Sequence, residues 1–144
     1  MLQLVLVALA AVALAGCGSS STDGAATVPA TATGETAAVV LASPEEAQAL
    51  IDTGEVKLLD VRTPEEFAEG HLAGAENIDF YAADFADQIG ALDQGEKYVV
   101  YCRSGNRSGQ ATALMADKGF GSVTDVDGGI VAWEAAGLPT VTAG

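Results

Sequence analysis

Positive charge is what this chain most lacks. Six Lys and Arg stand against 20 Asp and Glu in 144 residues, a formal net charge of -14. Such an acidic surface repels nucleic acid and anionic headgroups, which excludes electrostatic binding to either as a function class. The carboxylate excess otherwise reads as a solvated surface and is silent about fold. Histidine occurs once, at His71, and cysteine twice, at Cys17 and Cys102. No metal constellation can be assembled from that set, so no metal or other cofactor is expected. A glycine-rich nucleotide motif is missing too. So is a membrane-spanning run: Leu2 to Leu14 carries no charge and one polar residue, Gln3, but is shorter than the roughly 20 apolar residues a spanning helix needs.

That run has the length of the apolar region of a signal peptide. It ends in Leu14-Ala15-Gly16-Cys17, which resembles a bacterial lipobox. The resemblance implies cleavage before Cys17, acylation of its sulfur, and a lipid-anchored protein on the extracytoplasmic face of a bacterial membrane. Small residues at Ala15 and Gly16 let a peptidase reach the bond, and lipid on Cys17 supplies apolar area to bury in the bilayer. The pattern departs from the usual in one respect: no Lys or Arg precedes the apolar run. A start upstream of Met1 would account for this; a plain secretory signal or a short anchor are the alternatives. Residues 18–38 are rich in Ser, Thr, Ala and Gly with almost no large apolar side chain, the composition of a disordered tether. Residues 1–17 are therefore read as signal, 18–38 as linker and 39–142 as one folded domain.

Within the domain, strand and helix patterns alternate. Ala38 to Ala42 is a short apolar strand. Ser43, Pro44 and Glu46 make a cap, a first-turn proline and a capping box, so a helix starts there and stops at Gly54. Val56 to Val61 is a second strand, and Thr63, Pro64 and Glu66 repeat the helix-start signal. Phe80 to Leu92 reads as a helix. Lys97 to Cys102 is an apolar strand of the kind found inside a parallel sheet. Ser108 to Lys118 reads as a helix, Val123 to Val126 as a strand, and Ile130 to Ala136 as a last helix ending at Gly137. This alternation predicts an α/β fold with a mostly parallel central sheet and helices on both faces. Ligands of such sheets bind beyond the carboxyl ends of the strands, where Cys102 stands.

Two of the six basic residues, Arg103 and Arg107, flank Cys102 in the loop Cys102-Arg103-Ser104-Gly105-Asn106-Arg107-Ser108. Successive N–H groups in a tight glycine-containing turn can converge on one centre as an anion cradle, and the next helix turns its positive end to the same place. Both arginines add full charge. Each effect favours thiolate over thiol and lowers the pKa of Cys102 below its free value of about 8.5. A thiolate so placed is a nucleophile toward small anions. The bland alternative, an inert core cysteine, leaves the arginines, Gly105 and the helix start without a reason.

The loop, together with the segments Leu58 to Ile78 and Asp127 to Pro139, resembles the single-domain rhodaneses, a sulfurtransferase family. The likeness runs from Val39 to Val141, with three hallmark segments in order. It implies a rhodanese-like fold and a mechanism in which Cys102 attacks the outer sulfur of a donor such as thiosulfate, carries it as a persulfide in the cradle from Arg103 to Ser108, and yields it to cyanide or a thiol. Arg103 and Arg107 would attract the donor, with Arg107 alternatively holding the loop's shape. Asp60 and Arg62 are expected in support, Arg62 pairing with Glu66 or Glu69. His71 resembles the family's structural turn rather than a general base, Trp133 reads as core, and Gly128 with Gly129 as an unusual turn. With Cys17 acylated, Cys102 is the sole thiol of the mature chain, so an external acceptor must discharge it.

Two rivals stand beside this expectation. Cysteine phosphatases and arsenate reductases have a similar loop with one residue more between Cys and Arg; four separate Cys102 from Arg107. The shorter loop suits a sulfur atom better than a tetrahedral oxyanion. The other rival is a membrane-tethered binding or persulfide-sensing module on the same fold.

Overall fold

The computed structural model describes residues 38–142. The expected signal, Cys17 and nearly all of the expected linker lie outside the described residues. Five strands, β1 (Ala38–Ala42), β2 (Val56–Asp60), β3 (Glu76–Asn77), β4 (Lys97–Tyr101) and β5 (Ser122–Val126), form one sheet in the order β1-β5-β4-β2-β3. Every pairing is parallel, as the α/β alternation predicts. The central pair is in register from Val56 opposite Lys97 to Asp60 opposite Tyr101. The ends of β2 and β4 therefore lie side by side, and with them Asp60 and the residue that follows Tyr101, Cys102.

Five helices cover the sheet: α1 (Pro44–Asp52), α2 (Pro64–Glu69), α3 (Phe85–Gly90), α4 (Asn106–Asp117) and α5 (Gly129–Ala135). Both expected capping boxes form. Ser43 Oγ accepts from the Glu46 N–H and Thr63 Oγ1 from the Glu66 N–H, while each glutamate accepts from the cap's own N–H. Alternate residues of β4 serve opposite faces. Tyr98, Val100 and Cys102 pack with Phe85 and Ile89 of α3 and Ala111 and Met115 of α4. Val99 and Tyr101 pack with Ala47 of α1 and Ile130 and Trp133 of α5. Burial on both faces explains why β4 is apolar throughout. A fully buried side chain of this kind contributes about 1.5–3 kcal/mol. Trp133 belongs to this core, 2% exposed, with its indole N–H donated to the Pro139 carbonyl at 3.0 Å.

Two expected elements differ in extent. The helix expected from Phe80 to Leu92 is only the short α3. Ahead of it the chain turns on Asp79, whose carboxylate accepts from the Tyr81 N–H at 2.9 Å and whose carbonyl accepts from the Ala82 N–H at 3.0 Å. An aspartate that satisfies the backbone this way competes with helix. The helix after the cysteine loop begins at Asn106, two residues earlier than expected, because Gly105 takes the left-handed conformation (φ 92°) at its cap.

Candidate active site

The site is built where β4 ends. Cys102 is buried, 1% exposed. The Gly105 N–H donates to Cys102 Sγ at 3.1 Å, and the Ser108 hydroxyl lies 3.5 Å from the same sulfur. Burial pushes the Cys102 thiol up; the Ser108 hydroxyl and the backbone N–H groups of Ser108, Ser104 and Gly105 pull it down, and the net direction is down. The cradle expected from the sequence thus exists as a set of donors around one sulfur. Its sulfur is buried although Ser104 and Asn106 are exposed, and hydrogen bonds to a buried charged acceptor are strong.

The loop is held from behind by α5. The Ile130 N–H donates to the Cys102 carbonyl at 2.9 Å and the Val131 N–H to the Arg103 carbonyl at 3.2 Å. So close an approach needs a residue without Cβ at Gly129. Its φ is +60°, and a Cβ there would lie 2.5 Å from the Cys102 carbonyl oxygen and 2.7 Å from the Arg103 carbonyl. Gly128 and Gly129 make the unusual turn that the sequence suggests, for this reason.

The two arginines divide. Arg107 turns onto α2 and clasps Glu66 with two parallel hydrogen bonds, 2.7 and 2.8 Å, while its guanidinium lies 5.7 Å from the Tyr81 ring. Arg107 holds Glu66 down to about 2, against burial, and Glu66 in turn raises Arg107. This is the shape-holding alternative for Arg107 rather than a cation free for a donor. Arg103 is exposed and makes no ion pair among the described residues. It stands at a cleft of about 440 Å³ that Arg62, Glu66, Glu69, Val131 and Glu134 also line. Ser104 and Asn106 are exposed, and the Asn106 side chain accepts from Gln110 Nε2 at 3.1 Å.

The expected pairing of Arg62 with Glu66 or Glu69 is corrected. Arg62 folds back on Asp60, donating through Nε to both carboxylate oxygens at 3.0 Å and through a terminal nitrogen to Oδ2 at 2.6 Å and to the Gly70 carbonyl at 2.6 Å. Asp60 is fully buried and Arg62 is 5% exposed. A buried carboxylate two residues away outcompetes an exposed one, because leaving Asp60 unpaired costs several kcal/mol. Glu66 is then free for Arg107. Asn77 of β3 ties this corner, donating to the carbonyls of Asp60 and Arg62 at 3.0 and 2.9 Å. Tyr101 completes it, accepting from the Leu72 N–H at 3.1 Å and lying 5.6 Å from the Arg62 guanidinium. Tyr101 had no signal in the sequence beyond its strand, and Asn77 had none, since no strand was expected at β3. His71 is structural: Nδ1 lies 2.9 Å from the Phe67 carbonyl, the ring stacks on Phe67 at 3.8 Å, and its backbone bridges to Val141.

Comparison with known proteins agrees with this geometry. The model of the rhodanese-like domain matches residues 43–136. A sulfurtransferase of Allochromatium vinosum is 39% identical over 94 residues, 65% of this chain and 86% of that protein. The thiosulfate sulfurtransferase GlpE of Pseudomonas aeruginosa (strain LESB58) is 38% identical over 91 residues, 63% of this chain and 80% of its own. Among solved structures, a rhodanese-related protein from Thermoplasma volcanium superposes with a TM-score of 0.65 at 30% identity, over 72% of this chain and 99% of that one. The parallel five-stranded sheet and this solved neighbour make the chain a rhodanese-fold α/β protein. The chain belongs to the rhodanese family, and its relatives include sulfurtransferases.

Proposed function

We propose that this protein is a rhodanese-type sulfurtransferase that moves a sulfane sulfur from a small anionic donor such as thiosulfate to cyanide or a thiol through a persulfide on Cys102. The observation that carries the proposal is the pair of donors on one sulfur, the Gly105 N–H at 3.1 Å and the Ser108 hydroxyl at 3.5 Å. The Cys102 thiolate attacks the outer sulfur of thiosulfate. A bond forms from Sγ to that sulfur, the thiosulfate S–S bond breaks, and sulfite leaves with the electron pair. The acceptor then attacks the outer sulfur of the persulfide and the Cys102 thiolate departs. Exposed Arg103 supplies the charge that draws the donor in, and Arg107 holds the loop to α2.

The phosphatase reading loses weight on loop length, because four residues between Cys102 and Arg107, where cysteine phosphatases have five, suit a sulfur atom better than a tetrahedral oxyanion. Attachment to the outer face of a bacterial membrane through lipid on Cys17 remains part of the proposal and rests on Leu14-Ala15-Gly16-Cys17.

Intact mass after incubation with thiosulfate tests the transfer. The chain should gain one sulfur, lose it to cyanide, and gain none as Cys102→Ser. An unmodified wild-type chain under thiosulfate and under small-molecule persulfides would leave a binding module instead.

A further inference from the structure

Among the described residues one buried acid, unlike Asp60, has no ion-pair partner. Asp125 of β5 is 5% exposed, and its Oδ1 has no hydrogen-bond partner. Two residues from Val123, which packs in the α4 layer, it faces α4; a Cβ placed at Gly109 would lie 3.7 Å from its Oδ2. Ser108, the residue before Gly109, is fully buried; its hydroxyl lies 3.5 Å from Cys102 Sγ and pulls the Asp125 carboxyl down.

Among the described residues no cation pairs with this acid. Arg107 on α4 is committed to Glu66. The neighbours in register, Leu41 on β1 and Val100 on β4, are apolar. Asp127 on the same chain segment has the same sign, and Cys102 beyond Ser108 becomes anionic as a thiolate. Burial pushes the Asp125 carboxyl up and Asp127 adds to it; the Ser108 hydroxyl and the Val126 N–H pull it down, and the net direction is up. An ionised Asp125 would be a buried charge with neither a counter-ion nor a full set of donors.

We propose that Asp125 is kept as the neutral acid and donates its hydrogen bond to Ser108 Oγ, turning the single Ser108 hydrogen toward Cys102 Sγ. A serine hydroxyl has one hydrogen and two acceptor sites. With the acid protonated, the donors run one way, from Asp125 to Ser108 to sulfur. With a carboxylate, the Ser108 hydrogen is drawn to Asp125, and the sulfur loses a donor while gaining a negative neighbour. No proton is transferred and no bond changes; Asp125 is a positioning residue. The inference rests on Cys102 being the sulfur carrier, but its test uses no sulfur donor, so a failure of sulfur transfer leaves the outcome readable.

The test uses the whole chain with 13C-labelled aspartate. The Asp125 carboxyl signal, assigned by its loss in Asp125→Asn, is followed against pH, and alkylation of Cys102 by iodoacetamide is measured on its own peptide. The Asp125 carboxyl should be protonated at neutral pH, where Cys102 already reacts as a thiolate. Asp125→Asn, whose amide N–H can donate in place of the acid, should keep the wild-type alkylation midpoint. Asp125→Ala and Ser108→Ala should each slow alkylation below the midpoint about 3–10-fold, the worth of one hydrogen bond, and the double variant should add nothing to Ser108→Ala. An ionised Asp125 carboxyl at neutral pH overturns the proposal, a reading that needs only the wild-type protein and a folded Asp125→Asn. So does an Asp125→Asn variant as slow as Asp125→Ala, or an Asp125→Ala variant as fast as wild type.

Discussion

Replacing Gly129 by alanine tests how the Cys102 loop is held in shape. Alanine at φ +60° meets the Cys102 carbonyl oxygen at 2.5 Å and the Arg103 carbonyl carbon and oxygen at 2.7 Å. These are backbone atoms and cannot swing aside, so α5 or the loop must retreat by several tenths of an ångström or more. The left-handed conformation costs a residue with Cβ about 1–2 kcal/mol. Forcing a methyl into a filled space costs about 1–3 kcal/mol more. The expected loss, about 2–5 kcal/mol, is a large share of a typical stability of about 5–15 kcal/mol, and lowers Tm by roughly 10–20 °C. Gly54→Ala is the control, because Gly54 also has positive φ (+71°) but nothing within 4 Å of its Cβ position. It should show the conformational cost alone. The retreat also stretches the bonds from Ile130 and Val131 that fix the loop carbonyls and tilts the N–H groups off Cys102 Sγ. Alkylation of Cys102 at neutral pH should slow about 3–10-fold, the effect of losing one such donor. Urea unfolding of both variants and the alkylation rate measure these quantities. A Gly129→Ala variant no less stable than Gly54→Ala, with Cys102 as reactive as in wild type, would refute the account of the loop as braced by α5.

Three further outcomes follow from the paired charges around the site. Glu66→Gln removes the clasp on Arg107, and unfolding in urea at neutral pH should show a loss of about 1–2 kcal/mol, limited by partial exposure. Because Glu66 is lowered from 4.5 to about 2, its contribution is fully present above 4.5 and disappears as pH falls through about 2. The wild-type advantage should vanish with it, and an advantage that persists in strong acid would contradict the pairing. Asp60→Asn leaves Arg62 charged and buried without its partner and should cost about 3–5 kcal/mol in the same assay, with Asp60→Asn/Arg62→Met losing less than the sum of its single changes. Tyr101→Phe strands the buried Leu72 N–H and should cost about 1–3 kcal/mol, seen as faster amide exchange at Leu72 as well as a lower urea midpoint.

Much of the fold was readable because its signals are local. A capping box needs only residues three apart, so Ser43 with Glu46 and Thr63 with Glu66 mark the starts of α1 and α2 unaided. Burial on both faces makes a strand apolar throughout, which identified β4 and placed Cys102 at its carboxyl end. The cysteine loop is equally local: every donor on the sulfur comes from within six residues of it. The extent of α3 was not legible, because the turn on Asp79 and the helix pattern compete over the same residues and their balance is set by packing.

Charge partners are another matter, since a cation takes whichever carboxylate the fold brings nearest. Arg107 and Glu66 are 41 residues apart, and only the adjacency of β2 and β4 in the sheet puts α2 beside the loop. Arg62 lies nearer Asp60 in sequence than Glu66 or Glu69, yet its partner depended on Asp60 being buried and needing a counter-ion. Asp125 read as an ordinary strand residue until the sheet placed it under α4 behind Ser108. Residue order alone was enough to set the Cys102 loop and the donors around its sulfur, because hydrogen bonding within a turn is local. Which charges meet, which stand alone, and which acid lies behind the sulfur were decided only by the tertiary structure, because Coulomb and desolvation energies depend on distance and burial in space.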